Sequence, residues 1–186
     1  GNLEGTIEQC ADVRNARLTL PTKFDMVDPL LELRHGHNVT IRVSLNPDEI
    51  IRRVEFGTSR LDARIAALNK LYHAGYDVGI LIAPIIMIEG WQEMYERLFQ
   101  KMAESIDPAI LRGVQLEIIY MTYGMVTEKI NQEAFPGAIT LHDRESMAFC
   151  GRSRYGYTQP VKAEASAFLR ERIAHWLPEA NIAYIV

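Results

Sequence analysis

Residues that could contact a small ligand lie where three apolar runs of the sequence end. They are Thr22-Lys23, Ser44 with Asn46 two positions later, and Ala83-Pro84. The Lys23 amine offers a positive charge to a carboxylate, and Ser44 and Asn46 offer hydrogen-bond donors and acceptors. Because working groups in βα folds gather at the carboxyl ends of strands, we expect these residues to meet at one site. The alternative is that Lys23 is a solvated loop lysine and that Ser44 only begins a turn.

The segments before these residues have the composition of strands. Residues 17–22 and 39–45 are rich in β-branched and apolar side chains, and residues 77–86 form an almost continuous apolar run. A run that is apolar on both faces is typical of a buried strand in a parallel sheet. A further strand is predicted at residues 114–121.

Helices are predicted between these strands. Residues 59–75 place apolar side chains at helical spacing, with Ser59 and Asp62 as a capping pair and Gly75 as a left-handed end. A short helix is predicted from Asp28, and a longer one begins at Trp91. Repeated strand–helix–strand units at this spacing predict an α/β fold with a parallel sheet.

The last third of the sequence is less regular. We expect a helix near residues 126–133, a short strand near Ile139, a loop rich in Gly, Tyr and Arg, a helix at residues 163–176 and a final strand at 181–186. The chain of 186 residues is long enough for one domain with a sizeable core. We therefore treat residues 1–186 as a single domain.

Composition limits the classes of function. The formal net charge of -4 disfavours an autonomous DNA-binding domain, because such domains need a basic surface. The longest apolar run, residues 78–88, is about half the length that crosses a bilayer, so no membrane partner is expected. The N-terminus shows no signal peptide, and two cysteines fit a reducing cytoplasm, which is the predicted location.

Four short motifs occur in order along the first half of the chain. They are Thr22-Lys23-Phe24, Ser44-Leu45-Asn46, Glu55-Phe56-Gly57-Thr58-Ser59 followed by Arg64, and Ala83-Pro84-Ile85 before Glu89-Gly90-Trp91. Together they resemble the C-terminal half of the spore photoproduct lyase family. Members are radical S-adenosylmethionine enzymes that repair a thymine photodimer in DNA. The resemblance extends from about residue 17 to the C-terminus.

The resemblance implies a fold and a cofactor site. Residues 17–125 would be the later βα units of a partial, open TIM-like barrel, and residues 126–186 a C-terminal extension with a hairpin and a helix. Lys23 and Ser44 would hold the carboxylate end of S-adenosylmethionine, and the backbone of Ala83 would lie along its adenosine. Asn46 and Glu55 are further candidates for this site.

A second region of interest contains two arginines beside two tyrosines, in the segment Gly151-Arg152-Ser153-Arg154-Tyr155-Gly156-Tyr157. Such a cluster is often only a surface turn, yet arginines can contact phosphates and tyrosines can stack on splayed bases. The family resemblance implies a hairpin that enters damaged double-stranded DNA. We expect Arg154 and Tyr155 to contact the DNA, with Arg152 as the alternative arginine.

The family's 4Fe-4S cluster is bound by cysteines spaced C-x-x-x-C-x-x-C, and this motif is absent from the chain. Cys10 and Cys150 lie far apart in the sequence and are expected to be ordinary thiols. His35-x-His37 is expected to be solvated surface, so we predict no metal site and no catalytic residue in this chain. The cluster and the hydrogen-donating cysteine would come from other sequence, and this chain alone would be inactive.

Two other functions remain open. In the first, the chain is a small-molecule enzyme in which Lys23 forms a Schiff base with a carbonyl substrate. In the second, it is a non-catalytic module that binds DNA or another partner through Arg152 and Arg154. An open barrel would also leave apolar surface uncovered, which predicts association into homo-oligomers.

Overall fold

The computed structural model describes residues 2–141, 143 and 145–186. Its centre is a five-stranded parallel sheet with the order β1-β2-β3-β4-β8. These strands are β1 (Leu18–Thr22), β2 (Val39–Ser44), β3 (Asp77–Ile85), β4 (Gln115–Tyr120) and β8 (Asn181–Ile185). The sheet is not closed, because β1 and β8 are its edges within the described residues. This arrangement confirms the prediction of an α/β fold built from βα units of an open TIM-like barrel.

Helices connect the strands and cover the sheet. They are α1 (Leu3–Cys10), α2 (Asp48–Arg53), α3 (Leu61–His73), α4 (Trp91–Ser105), α5 (Pro108–Leu111), α6 (Met125–Ala134) and α7 (Gln159–Trp176). Helix α3 packs on β2 and β3, and α4 packs on α7. Helices α1, α2 and α5 were not predicted, because they are too short to show a clear apolar period.

The alternation of the strands explains which face is buried. Val39, Ile41 and Val43 of β2 are buried, as are Ile80 and Ile82 of β3. The residues between them, among them Ser44 at the end of β2, point to the opposite face because side chains alternate along a strand. Ser44 therefore projects to the face opposite the core residues of β2.

A second, antiparallel sheet is formed by β5 (Thr122–Gly124), β6 (Met147–Gly151) and β7 (Arg154–Tyr157), with β7 in the middle. Strands β6 and β7 form a hairpin whose two-residue turn is Arg152-Ser153. Both turn residues have positive φ, 51° and 57°. This conformation is the one that two-residue hairpins prefer, because its twist matches that of the flanking strands.

Several local predictions are wrong. Residue 139 is not in a strand, since the backbone turns at Phe135–Ala138 and finds no partner strand. The helix predicted from Asp28 is a single 3₁₀ turn, Asp28–Leu30. Ser59 does not cap α3, because its hydroxyl donates to the Asp25 carboxylate instead.

His35 also differs from its prediction as solvated surface. It is buried, with 8% of its surface exposed. Its ring stacks on Tyr76 with 4.0 Å between centroids, and its Nε2 lies 3.2 Å from the Ala74 carbonyl oxygen. Tyr76 and the Ala74 carbonyl, just after α3, thus hold an imidazole that was predicted at the surface.

Within the described ranges, no helix is long and apolar enough to cross a membrane. The predicted association of copies through the open side of the sheet stays a prediction.

Candidate functional site

The ends of the first three strands meet at Lys23. Its Nζ donates to Ser44 Oγ at 2.9 Å, to Glu55 Oε1 at 2.6 Å and to the Ala83 carbonyl oxygen at 2.8 Å. Ser44 Oγ also donates to the Ala83 carbonyl, at 3.0 Å. The convergence expected from the strand ends is therefore present. The alternative that Lys23 is a solvated loop lysine is wrong, because its side chain is only 32% exposed.

The remaining two cofactor candidates lie behind Lys23. Asn46 is fully buried, and its Nδ2 donates to Glu55 Oε1 at 2.7 Å and to the Pro84 carbonyl at 3.3 Å. Its Oδ1 has no hydrogen-bond partner among the described residues. The Glu55 side chain is 6% exposed. These two residues thus form a polar layer beneath the three strand ends.

Arg64, on the first turn of α3, completes this layer. Its guanidinium is fully buried and donates to Glu55 Oε2 at 2.7 Å and to Thr58 Oγ1 at 2.6 Å. It also donates to two backbone carbonyls, those of Ser44 at 3.0 Å and Ser59 at 2.7 Å. One arginine therefore joins the end of β2 to the loop between α2 and α3.

The pKa values reflect burial and pairing. Burial lowers the pKa of the Lys23 ammonium below its usual 10.5, and Arg64 lowers it further, while the Glu55 carboxylate opposes the shift. Burial alone would raise the pKa of Glu55, but the hydrogen bonds and charges of Lys23, Asn46 and Arg64 lower it overall. Glu55 is thus an anion between two cations at neutral pH.

A pocket of about 350 Å³ opens above this layer. It is lined by Pro21, Thr22, Lys23, Phe24, Ser44, Thr58, Leu81 and Ala83. Its volume is in the range of small-molecule sites, roughly 300–1,000 Å³. Lys23 and Ser44 are polar groups on an otherwise largely apolar wall, an arrangement that orients a ligand by one charged end. Asn46 and Glu55 do not line the pocket.

The hairpin residues are arranged differently. Arg152 and Arg154 are exposed, and the Tyr155 ring packs edge-on against Phe149, with 5.8 Å between centroids. Phe149 itself is 63% exposed. The hairpin therefore presents arginines and aromatic rings together on an accessible strand pair.

The cysteines of this chain give no cluster site. Cys10 and Cys150 are both free, on α1 and on β6. The described part of the chain contains no group of three His, Cys, Asp or Glu side chains that could hold a metal ion. The residues present therefore do not fit an iron–sulfur cluster.

From the sequence, Arg64 was recognised only as part of a motif and was assigned no role. A signal was available, because Leu61, Arg64, Ile65 and Leu68 follow the i, i+3, i+4, i+7 spacing of one helix face. A charged residue within an apolar stripe must find buried partners. The pocket residues Pro21, Thr58 and Leu81 were also missed.

A family model described as spore photoproduct lyase matches residues 1–186, the whole chain. This chain belongs to the spore photoproduct lyase family. The family resemblance drawn from the motifs is thus confirmed. Curated relatives include the spore photoproduct lyases of Bacillus subtilis, 30% identical over 98% of this chain, and of Geobacillus sp., 29% identical over 98%.

Solved structures of spore photoproduct lyase match the fold with a TM-score of 0.91 and 29% identity over 99% of this chain. One of them is complexed with dinucleoside spore photoproduct, and another, a mutant, has bound AdoMet and dinucleoside spore photoproduct. The chain spans about half the length of these relatives, 54–55% of the two curated sequences and 55% of the two structures.

Proposed function

We propose that this chain is the cofactor- and DNA-contacting part of a radical S-adenosylmethionine lyase that repairs thymine photodimers, the spore photoproduct, in DNA. The strongest support is the position of the Lys23 ammonium. It donates hydrogen bonds to Ser44 Oγ and the Ala83 carbonyl and lines a pocket formed at three strand ends. Membership of the spore photoproduct lyase family supports the reaction class. A spore photoproduct lyase mutant of the same fold, with AdoMet bound, supports the cofactor.

In this proposal Lys23 and Ser44 bind the carboxylate of S-adenosylmethionine, and the backbone of Ala83 contacts its adenosine. A charge-assisted hydrogen bond of this kind contributes about 1.5–3 kcal/mol. The pocket suits this ligand, because Lys23 makes one end of it cationic and most of the remaining wall is apolar. Asn46 and Glu55 belong to the site as the layer under Lys23.

The 4Fe-4S cluster that the family resemblance implies has no ligands in this chain. In the complete enzyme such a cluster would supply the electron for reductive cleavage of S-adenosylmethionine. In this chain, Lys23 and Ser44 bind and orient S-adenosylmethionine, and Leu81 and Pro21 form part of the apolar wall beside it. We propose that the cluster cysteines and the hydrogen donor lie in other sequence, and that this chain alone is inactive.

The substrate contact is assigned to the hairpin. We propose that Arg154 and Tyr155, with Arg152 in the turn, contact damaged double-stranded DNA. Their exposure and the neighbouring Phe149 ring support this role, since arginines neutralise phosphates and aromatic rings stack on bases taken out of the duplex. A cytoplasmic location is proposed with it, on the two free cysteines.

The test is a binding titration of S-adenosylmethionine against the wild-type chain and Lys23→Met. We expect the variant to bind about tenfold more weakly or worse, in line with the loss of one charge-assisted contact. Lys101→Met is the matched control, because Lys101 pairs with Asp62 away from the pocket. Equal affinities of the wild type and Lys23→Met would remove Lys23 from the site.

A lysine-dependent Schiff-base enzyme is the second candidate, favoured by the burial that lowers the pKa of Lys23. Borohydride trapping of a carbonyl compound on Lys23 would support it. The contact with Glu55 opposes this function, because a paired ammonium is a poor nucleophile.

A further inference from the structure

We propose that Arg64 is a positioning residue for the Lys23 ammonium, acting through the Glu55 carboxylate, and that this pair makes the pocket selective for ligands with a carboxylate. The inference rests on the proposed function, since it concerns how the same pocket recognises S-adenosylmethionine. Neither Arg64 nor Glu55 needs to touch the ligand in this role.

Both oxygens of the Glu55 carboxylate accept hydrogen bonds from within the chain. Its Oε1 accepts from Lys23 and Asn46, and its Oε2 accepts from Arg64. With 6% of its side chain exposed, the carboxylate is bound by chain residues on both oxygens. It therefore acts as an internal counterion rather than as a group that contacts ligand.

Arg64 also holds the loop that carries Glu55. Arg64 bonds the Ser59 carbonyl and the Thr58 hydroxyl, and that hydroxyl donates to the Glu55 carbonyl at 2.7 Å. Arg64 also reaches the Ser44 carbonyl at the end of β2. A fully buried guanidinium thus sets the position of the loop against the strand that bears the other pocket donor.

Three acceptors surround the Lys23 ammonium. An ammonium has three N–H donors, and here they meet Ser44 Oγ, Glu55 Oε1 and the Ala83 carbonyl. An incoming carboxylate must replace an acceptor, and the neutral ones are the cheaper to exchange because Glu55 is buried as an anion. Glu55 therefore keeps Lys23 charged and aimed while Ser44 or Ala83 gives way to the ligand.

The experiment measures the charge state of Lys23 by competitive acetylation over a range of pH, with mass spectrometry, in the full chain. For Arg64→Gln we expect about a tenfold larger fraction of uncharged Lys23 amine at a fixed pH, because Glu55 loses its position. A through-space effect alone would act in the opposite direction, since Arg64 lowers the pKa of Lys23. An unchanged or smaller uncharged fraction would overturn the proposal.

Arg60→Gln is the matched control, because Arg60 precedes Arg64 by one helical turn and is 58% exposed. Its effect on Lys23 should be nil, and Lys129 serves as an internal reference in every sample. If Arg64→Gln does not fold, Arg64→Lys keeps the charge but not the branched contacts, and the same increase is expected. No increase in that folded variant would equally contradict the role.

A second measurement tests selectivity with S-adenosylmethionine and 5′-methylthioadenosine, which lacks the carboxylate. We expect Arg64→Gln to weaken only the first, about tenfold. An equal loss for both ligands would indicate a general structural defect and overturn the selectivity. If the wild-type chain binds neither ligand, the proposed function fails, while the acetylation result still decides whether Arg64 positions Lys23.

Discussion

The Lys23 pocket and the C-terminal hairpin both present cations, but in opposite physical settings. Arg64 and Asn46 are fully buried under the pocket, and the Lys23 ammonium meets three acceptors. Arg152 and Arg154 are exposed at the end of a hairpin. A buried charge needs a fixed set of partners, whereas an exposed one is solvated and free to meet a phosphate. The pocket is therefore suited to one rigid ligand end, and the hairpin to an extended, deformable polymer.

The largest expected effect is on the free energy of unfolding when the buried Arg64 is replaced. Arg64→Met removes one partner of a buried pair, so we expect a loss of about 3–5 kcal/mol in the free energy of unfolding. Arg154→Met changes an exposed residue, and a change within about 0.5 kcal/mol is expected. Urea denaturation of both variants beside the wild type measures the two losses. Similar losses would mean that the two cations are not in different settings.

A smaller effect concerns the pH dependence of the pocket. Glu55→Gln should lower the free energy of unfolding at pH 7 by about 1–3 kcal/mol, since the amide is a poorer partner for two cations. The folded-state pKa of Glu55 is lowered by its partners, so its contribution is present above its unfolded value of 4.5 and lost as the pH falls through the folded value.

The measurement is urea denaturation of wild type and Glu55→Gln between pH 7 and pH 3. The difference between the two proteins should shrink as the medium becomes acidic. A constant difference over this range would show that Glu55 is not a paired anion in the folded state.

On the hairpin side, Arg154→Ala should act on DNA affinity and leave stability unchanged. Loss of one phosphate contact should make the slope of log affinity against log salt less negative by about one. Fluorescence titration with a damaged duplex at several salt concentrations measures this slope, with Arg60→Ala as an exposed control outside the hairpin. An unaltered slope and affinity would remove Arg154 from the DNA interface.

The smallest expected effect concerns the affinity for the ligand at alkaline pH, which reports how burial changes the charge of Lys23. Because the pKa of Lys23 is below 10.5, affinity for a ligand carboxylate should decline at a lower pH than an exposed lysine would allow. Titrations at increasing pH, with 5′-methylthioadenosine as the ligand without a carboxylate, test this. Equal pH profiles for both ligands would argue against the charge pairing.

The sheet and its strand ends were predictable because the signals are local. The apolar runs before Lys23 and Ser44, and the left-handed Gly75 with φ of 88°, mark where chain segments must end. The parallel order of the strands then follows from the spacing of strand and helix. The meeting of Lys23 with Ala83 is a consequence of that order.

The polar layer was not predictable to the same degree, because it depends on contacts between distant loops. Ser59 has the composition of a helix cap, yet the nearby Asp25 carboxylate offers a stronger partner for its hydroxyl. His35 was predicted at the surface because the residues next to it in the sequence do not indicate that the Tyr76 ring stacks on it. Residues distant in the sequence determine whether such polar side chains are buried and which hydrogen bonds they make. A single sequence does not show which of those residues are close in space.

The most direct measurement is a crystal structure of the protein with S-adenosylmethionine soaked or co-crystallised. We expect a ligand carboxylate oxygen within hydrogen-bond distance of Lys23 Nζ and Ser44 Oγ, with Glu55 still bound between Lys23 and Arg64. A ligand whose carboxylate lies elsewhere, with the Lys23 contacts to Ser44 and Ala83 intact, would contradict it.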